Sequence, residues 1–333
     1  MPPAARIALL SSEPIRPRMA GIGIRYQELA RRLPGYGLDV VLLSPADEAE
    51  MAPLVPPEVE VRTFARGRLA ALIAGCGCDA AVAQGQLAND LLLEVPDLPV
   101  AIDLYDPWLV ENLTYYETLG LAPYRNDHAT WVLQMSRGDF FLCSSEEQKS
   151  FYLGFLAALG RVNPERVASD PDLKTLIAPV PFGVPEELPV YHPWLPVAPA
   201  GERRLLFGGL YDWYDPWTLF SALETLESQW KLLFIRNPNP DSTPQRLLAS
   251  VEEHCRRRGW WGSRVEALDW VPAERRYDLL RDVDLMVAPH RPSLETRLSL
   301  RTRFLDALCA GCPAITSEGG TMARLLREHG AGW

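Results

Sequence analysis

The chain has 333 residues, of which 47% are hydrophobic, so it contains enough apolar material for the cores of two ordinary domains. Its net charge of -10 argues against a nucleic-acid-binding protein, because affinity for the phosphate backbone depends on clustered Lys and Arg. No apolar stretch approaches the roughly 20 residues that cross a bilayer, which leaves a soluble enzyme of the cytoplasm as the expected class.

The predicted elements of the first half alternate between strand and helix. A strand at 6–10 (RIALL), a loop, a helix at 22–33 and a strand at 38–44 follow each other in the order of a right-handed crossover unit. The alternation continues with strands at 58–64, 79–84, 99–104, 138–143 and 176–181 and helices at 69–75, 89–95, 128–136 and 145–159. Near-continuous apolar strands that alternate with helices predict a parallel sheet covered on both faces.

A proline-rich segment separates this half from a second unit of the same kind. Residues 183–202 cannot continue a helix or a central strand, so they are predicted to link a domain at 1–182 to a domain at 203–333. The second domain has predicted strands at 203–208, 230–235, 264–268, 284–289 and 313–317 and helices at 216–226, 243–257, 274–282, 301–310 and 319–328. The pattern would call for one more strand and closing helices, so we expect a truncated C-terminal end.

Cysteine and histidine usage gives no sign of a metal site. Six cysteines do not make a disulfide framework in so long a chain, so reduced thiols are expected. Cys309 and Cys312 have C-x-x-C spacing without a second pair, and core packing is the favoured interpretation over a redox or zinc role. The histidines are scattered and form no H-E-x-x-H pattern, so no protein-held catalytic metal is predicted.

Loops that follow strands are the first places to look for a binding site, because ligands of open parallel sheets bind beyond the carboxyl ends of the strands. Gly21 and Gly23 lie at the entrance of the first predicted helix, where glycine lets a phosphate or a sugar approach the backbone. Arg25 adds a positive charge there. A G-x-G pattern before a helix is also common as plain structural punctuation, and both interpretations stay open.

The corresponding loop of the second domain follows its first strand. Gly208 and Gly209 begin it, and Asp215-Pro216 is typical of the N-cap and first residue of a helix. Five aromatic residues lie in the window 207–217. They could stack on a sugar ring or a base, or pack at the edge of the domain.

A third candidate site lies near the start of a predicted helix. Ser299 is predicted to cap it, which places Arg301, Thr302 and Arg303 in the first turn. The helix dipole already favours anions there, so arginines are electrostatically misplaced unless an anion binds beside them. We therefore predict a diphosphate site, with Asp306 one turn further along and within reach of a ribose hydroxyl pair. The alternative is a solvated charged face.

At these residues the chain resembles the family 4 glycosyltransferases of the GT-B fold. GIGIRYQELARRLPGYGLDVVLLSP is similar to the family's opening segment, and LDALCAGCPAITSEGG is similar to the helix, turn and strand around its acidic motif. DLYDP, FGGLYDWYDPWTL and ETRLSLRTRFLDALCAGCP resemble the bacterial polysaccharide-type members most. The resemblance covers essentially the whole chain and implies an α/β protein with two Rossmann-like, doubly wound domains that face each other across a cleft.

Several site residues follow from this resemblance. Gly21 and Gly23 match the glycine loop near the donor phosphates, and Asp306 matches the second acid of the family's E-x7-E motif, the ribose ligand. Leu298 stands at the position of the motif's first acid, and Glu295, three residues earlier, is the candidate to replace that acid. The basic pair that the family carries after the first strand of the second domain is absent.

Arg301 and Arg303 are therefore expected to supply the missing positive charge. Tyr105 occupies the place of a histidine common in the family, which makes Asp103 and Asp106 the candidate polar groups near the sugar. Trp270 and Val271 match the stretch that contacts the base, largely through its backbone.

The activity implied by the resemblance is transfer of a sugar from a nucleoside-diphosphate donor, held by the second domain, with retention of configuration. The acceptor, held mainly by the first domain, is expected to be a glycan, a lipid-linked molecule or a small molecule, with 108–125 as an idiosyncratic acceptor loop. No cofactor or bound metal is implied. Such a site must bind the diphosphate more tightly as negative charge builds on it in the transition state.

Two other functions stay open. One is a nucleotide-sugar epimerase of the same architecture, and the other is a non-catalytic nucleotide-sugar-binding relative, as the missing acid and basic pair would suggest. The sequence identifies neither the nucleotide, the sugar nor the oligomeric state. It also leaves peripheral contact with a membrane open, although no basic amphipathic helix is evident.

Overall fold

The computed structural model describes residues 4–226, 229–236 and 246–333. The chain divides into two compact units, one ending at Phe182 and the other beginning at Gly183. Within these ranges, a strand forms at each of the twelve predicted positions, so the strand predictions are confirmed. The predicted helix at 243–257 is observed from Arg246 onward, and its first three residues lie outside the described ranges.

The first unit is built on a parallel sheet. Its strands are β1 Arg6–Leu10, β2 Asp39–Ser44, β3 Glu60–Thr63, β4 Ala80–Ala83, β5 Val100–Asp103, β6 Phe140–Cys143 and β7 Ile177–Pro179. The order across the sheet is β3-β2-β1-β4-β5-β6-β7, and every pairing in the described part is parallel. The chain reverses its direction of travel between β1 and β4, so the crevice for a ligand lies at the carboxyl ends of these two strands.

Helices connect these strands, with short 3-10 turns at Leu33–Tyr36, Ala52–Leu54 and Leu113–Tyr115. They are α1 Gly21–Arg32, α2 Glu48–Met51, α3 Leu69–Cys76, α4 Gly85–Glu94, α5 Trp108–Asn112, α6 Tyr116–Leu119, α7 Leu121–Arg137, α8 Glu146–Ala158 and α9 Pro164–Ser169. Sequence periodicity missed the shortest of these, α2, α5, α6 and α9. The segment 108–125, predicted as a loop, is mostly helical. Helices of four or five residues are too short to show a periodic pattern, so the sequence did not reveal α5 and α6.

The second unit repeats the architecture on a smaller sheet. Its strands are β8 Arg203–Gly209, β9 Trp230–Ile235, β10 Val265–Leu268, β11 Leu285–Ala288 and β12 Ala314–Thr316. Its helices are α10 Pro216–Leu223, α11 Arg246–Arg257, α12 Arg276–Arg281, α13 Leu294–Leu298, α14 Thr302–Ala310 and α15 Gly320–Glu328, with a 3-10 turn at Ala273–Arg275. The strand order is β10-β9-β8-β11-β12, parallel throughout the described residues.

Each unit has its own core, as the apolar strands predict. In the first, Leu9, Leu42 and Tyr26 are fully buried between sheet and helix. In the second, fully buried aromatic rings dominate, and Phe207 packs on Phe234 with ring centroids 5.2 Å apart. Burying one such side chain contributes about 1.5–3 kcal/mol to the free energy of folding. The two cores therefore hold the strands in place, and with them the loops at the strand ends.

The proline-rich segment is attached to the second unit over much of its length. Leu188, Trp194 and Leu195 pack against the second core. Asp282 accepts hydrogen bonds from the amides of Trp194 at 2.7 Å and Leu195 at 2.8 Å, and from the hydroxyl of Tyr191. These bonds fix residues 191–195 to the end of α12.

Removal of the Asp282 carboxylate should release this segment. We expect Asp282→Ala to raise hydrogen exchange at the amides of Trp194 and Leu195 by about 10-fold or more, because hydrogen bonds to charged groups contribute about 1.5–3 kcal/mol each. Glu253→Ala, at an exposed ion pair with Arg257, is the control and should leave these amides unchanged. Equal exchange in the two variants would show that packing alone holds the segment.

Candidate functional site

The strand order of the second sheet places its site beside β8 and β11. These neighbours are followed by crossovers in opposite directions, which opens a crevice at their carboxyl ends. The loop after β8 contains Tyr214, and the loop after β11 begins near His290. An isolated antiparallel bridge joins these two residues, and the amide of Asp215 donates to the carbonyl of Pro289 at 2.9 Å. The two loops therefore form one continuous surface.

The prediction that Ser299 is the N-cap of the helix that carries Thr302 and Arg303 is wrong. Ser299 ends α13, whose N-cap is Ser293, and its ψ of 127° turns the chain into an extended conformation. The helix α14 begins at Thr302, with Arg301 at the N-cap position and no side-chain cap. Leu298 and Leu300 are both buried, and the break after α13 lets the chain bury both leucines before α14 starts.

Arg301 forms a buried ion pair with Glu295. Its Nη2 donates to Oε2 of Glu295 at 2.6 Å, and the two side chains are only 8% and 3% exposed. The guanidinium also lies over the ring of Tyr214, 5.5 Å from the centroid. The positive charge predicted at this helix start is present, and part of it is balanced by the protein's own carboxylate.

Arg303 connects the start of α14 to the glycines after β8. Its Nη1 donates to the carbonyls of Phe207 at 3.0 Å and Gly209 at 2.9 Å, and its guanidinium lies 4.7 Å from the ring centroid of Tyr214. The sheet register shifts between Leu206 and Gly208, which leaves Phe207 without a register partner on β9. Thr302, between the two arginines, is half-buried.

Gly208 is required by this geometry, because its φ of +80° is in the left-handed region and a Cβ there would lie 3.0 Å from Nη1 of Arg303. We expect Gly208→Ala to lower the free energy of unfolding by more than the roughly 1–2 kcal/mol that left-handed backbone costs. Gly262→Ala is the matched control, since Gly262 has a φ of +79° and open space around it. Calorimetry of both variants measures the difference, and equal losses would rule out a contribution from Arg303.

The aromatic residues of 207–217 pack within the second unit. Phe207 and Tyr214 are buried, and the rings of Tyr211 and Trp213 stack on each other 5.1 Å apart. Asp215 caps α10 by accepting from the amide of Thr218, with Pro216 as first residue, so that local prediction is confirmed.

His290 lies at the centre of this surface and is only 3% exposed. Its ring packs 4.6 Å from that of Tyr214, and its backbone is fixed by two hydrogen bonds with the hydroxyl of Ser317. Burial, and then the charges of Arg301 and Arg303, hold the pKa of His290 well below its usual value of 6.5, so the ring is neutral.

Asp306 lies on α14 one turn beyond the arginines. Its Oδ1 accepts from Nε of Arg276 at 3.0 Å and from the hydroxyl of Tyr277 at 2.9 Å. No hydrogen bond reaches its Oδ2 from the described residues, and the side chain is one-fifth exposed. One carboxylate oxygen is therefore held in place while the other is available to a ligand.

Trp270 and Val271 follow β10, at the edge of the sheet two strands from β8. Val271 is buried and Trp270 half-buried. The indole Nε1 of Trp270 is buried without a hydrogen-bond partner among the described residues. Their suggested contact with a base stays a prediction.

In the first unit, the start of α1 already holds a carboxylate. Glu13, in the loop after β1, accepts from the amides of Ala20 at 2.5 Å and Gly23 at 2.7 Å. A Cβ on Gly21 would lie 3.1 Å from the hydroxyl of Tyr105, and one on Gly23 would lie 2.9 Å from the Cβ of Met19. The two glycines are therefore needed for close packing. A phosphate at this helix start would be repelled by the carboxylate of Glu13, which already accepts from the amides there.

Arg25 and Asp103 form a buried ion pair beside these glycines. Nε of Arg25 donates to Oδ2 of Asp103 at 2.7 Å and Nη2 donates to Oδ1 at 3.0 Å, with both side chains almost inaccessible. Nη1 of Arg25 donates to the carbonyl of Val180 at 2.8 Å, and the guanidinium lies over Tyr105. Asp106, three residues further, is half-buried. The structure thus brings Gly21, Arg25 and Asp103 together.

Sequence reasoning missed Glu13 and His290. His290 could have been found, because it directly follows a predicted strand, at the position where such sheets bind ligands. Glu13 had no such signal, since its hydrogen bonds depend on how the loop after β1 folds back.

Among the described residues, no group of three or more His, Cys, Asp or Glu is placed to hold a metal ion. No helix in the described part of the chain is long and apolar enough to span a membrane.

Comparisons with known proteins come from solved structures, since no protein family and no curated protein sequence matches the chain. The chain is similar to the sucrose-phosphate synthase of Thermosynechococcus elongatus, with a TM-score of 0.71 and 14% identity over 98% of this chain and 85% of that one. It is similar to Anabaena HepE, solved with UDP-glucose, with a TM-score of 0.62 and 16% identity over 96% of this chain and 82% of that one.

A third similar structure is a Listeria monocytogenes protein described as a UDP-N-acetylglucosamine 2-epimerase. It has a TM-score of 0.52 and 13% identity, over 99% of this chain and 83% of that one. At these identities the likeness shows the fold alone. Together with the two parallel sheets, it shows that the chain has the GT-B fold, with two Rossmann-like α/β domains.

Proposed function

We propose that the protein is a glycosyltransferase that takes a sugar from a nucleoside-diphosphate donor bound by the second unit. The observation that carries the proposal is the start of α14, where an uncapped helix N-terminus coincides with Arg301 at the switch point of the sheet. The first N–H groups of a helix have no intrahelical partner, and the dipole there favours an anion. A diphosphate satisfies both conditions.

Arg301 has donors to spare for such an anion. Its Nη2 is used by Glu295, while no hydrogen bond from the described residues reaches Nε or Nη1. Arg303 is occupied by two carbonyls, so it contributes charge rather than a new hydrogen bond. Loss of the nucleoside diphosphate from the sugar builds negative charge at this position, and a fixed guanidinium stabilises that charge.

The remaining parts of the donor follow from this placement. The free Oδ2 of Asp306 suits a ribose hydroxyl, and Trp270 and Val271 are candidates for the base. The bound UDP-glucose of HepE supports a nucleotide sugar as donor in a protein of this fold. No metal or cofactor is part of the proposal.

The acceptor side is proposed from the resemblance to family 4, polysaccharide-type enzymes. We propose a glycan, lipid-linked or small-molecule acceptor on the first unit and hexosyl transfer with retention. We also propose a cytoplasmic location, with peripheral membrane contact left open. Asp103 and Asp106 are the candidate polar groups there. The ion pair of Asp103 with Arg25 makes Asp106 the more accessible of the two.

Two observations favour other functions. The similar Listeria monocytogenes structure, described as a UDP-N-acetylglucosamine 2-epimerase, favours a nucleotide-sugar epimerase as the second candidate function. Leu298 at the position of the first acid, and the internal pairing of Glu295, favour a non-catalytic nucleotide-sugar-binding protein.

One set of measurements separates the three. The wild-type chain is titrated calorimetrically with UDP-, GDP-, ADP- and dTDP-glucose, and each donor is then incubated with and without a mixture of acceptors. A transferase binds one donor and releases its nucleoside diphosphate only with an acceptor. Conversion of the sugar without an acceptor would identify an epimerase, and binding without either reaction would identify a binding protein. Failure of all four donors to bind would contradict the proposal.

A further inference from the structure

Two neighbouring residues of α12, Arg276 and Tyr277, hold the carboxylate of Asp306. Nε of Arg276 donates to Oδ1 of Asp306 at 3.0 Å, and the hydroxyl of Tyr277 donates to the same oxygen at 2.9 Å. Nη2 of Arg276 in turn donates to that hydroxyl at 2.9 Å. The three side chains therefore form a closed ring of hydrogen bonds, in which each side chain restrains the other two.

This ring is anchored to the body of the second unit. Nη1 of Arg276 donates to the carbonyl of Ala273 at 2.6 Å, and the guanidinium lies 4.4 Å from the ring centroid of Tyr277. Tyr277 is only 3% exposed and belongs to the second core. Burial, and then the charge of Asp306, raise the pKa of Tyr277, so its hydroxyl keeps the proton that it donates.

The ring leaves Asp306 with one oxygen for a ligand. Each carboxylate oxygen accepts about two hydrogen bonds, and Oδ1 already has two donors. A ligand group at Oδ2 must donate, because a carboxylate oxygen only accepts. This requirement excludes an unprotonated phosphate at Oδ2 and favours a hydroxyl. Because the carboxylate is already fixed, it loses little side-chain freedom when the hydroxyl binds.

We propose that Arg276 and Tyr277 are positioning residues that orient Oδ2 of Asp306 toward a ribose hydroxyl, and that they thereby make the second unit select ribonucleotide over deoxyribonucleotide donors. This inference rests on the proposed function, in which Asp306 binds the ribose, and deepens it. A site built to hydrogen-bond a hydroxyl discriminates against the analogue that lacks it. Sugars carried by dTDP, a deoxynucleotide, are then poor donors.

The test compares the affinity for a nucleoside diphosphate with the affinity for its deoxy forms. Wild type, Arg276→Met, Tyr277→Phe and Arg281→Met are titrated calorimetrically with UDP, GDP and ADP and with the 2′-deoxy and 3′-deoxy forms of each. Arg276→Met keeps an apolar stem, and Tyr277→Phe keeps the buried ring. Arg281→Met is the matched control, because Arg281 lies on the same helix and donates to the carbonyl of Pro189 instead.

We expect wild type and Arg281→Met to bind one of the three diphosphates about 10-fold more tightly than at least one of its deoxy forms. Arg276→Met should lower this preference to less than about twofold, because the carboxylate of Asp306 is then free to turn away, and Tyr277→Phe should give an intermediate value. A merely structural role of Arg276 would weaken the binding of both forms equally and leave their ratio unchanged.

A preference of the wild-type size in Arg276→Met would overturn the inference and leave the proposed function standing. If that variant does not fold, the same preference in Tyr277→Phe would overturn the inference. Equal binding of the ribose and deoxyribose forms by wild type would also overturn it, while the diphosphate site at the start of α14 would stand. Binding of no nucleotide by wild type would overturn both the inference and the proposed function.

Discussion

Arg25→Met is expected to destabilise the first unit by about 3–5 kcal/mol, because it leaves the carboxylate of Asp103 buried without its partner. Both side chains of the pair are almost inaccessible, and the guanidinium donates two hydrogen bonds to that carboxylate. The free energy of unfolding is measured by urea denaturation followed through the tryptophans of each unit.

The reason for the loss is tested by a second substitution. Arg25→Met with Asp103→Asn removes the buried charge as well, so this double variant should recover much of the lost stability. Arg32→Ala is the control, because Arg32 is more than half exposed and its ion pair with Glu28 should contribute less than about 1 kcal/mol. A double variant as unstable as Arg25→Met would show that packing on Tyr105 matters more than charge.

Arg301→Ala should damage both the stability and the activity of the second unit. Glu295 would keep a buried charge without a partner, at a cost of about 3–5 kcal/mol. Turnover of the donor should fall by about 100-fold or more, the loss typical for one fixed donor of a developing negative charge. Unfolding and nucleoside diphosphate release are measured on the same preparations.

Two further variants separate the effects. Arg301→Ala with Glu295→Gln should regain stability without regaining turnover, because the double variant has no buried charge but still lacks the guanidinium. Arg297→Ala removes an exposed arginine one turn earlier and should change neither quantity by much. Turnover of Arg301→Ala within twofold of wild type would remove the diphosphate from this helix start.

Sequence patterns predicted the architecture well because apolar strands carry their own signal. Runs such as DVVLLS and WKLLFI are buried on both faces, so their composition alone marks them, and their alternation with helices predicts a parallel sheet. The helix starts were less predictable. Ser299 was predicted to start the helix of Arg303, but it ends a short helix, α13, that the sequence did not reveal and that Ser293 caps. Leu298 and Leu300 are both buried around this break.

The sequence pointed to residues of the candidate site but not to the contacts between them. The rule that ligands bind at the carboxyl ends of strands pointed to Gly208, and the helix dipole pointed to Arg301 and Arg303. The structure places these three residues together, around Tyr214. The pairing of Arg301 with Glu295, six residues earlier, could not be predicted, because it depends on the turn between α13 and α14.

The central claim is that an anion of the donor binds at the start of α14, and a crystal structure with the bound nucleoside diphosphate tests it most directly. We expect diphosphate oxygens within about 2.7–3.2 Å of the backbone nitrogens of Thr302 and Arg303 and of the guanidinium of Arg301. A nucleotide bound with its diphosphate at any other helix, such as α1 beside Glu13, would contradict the account.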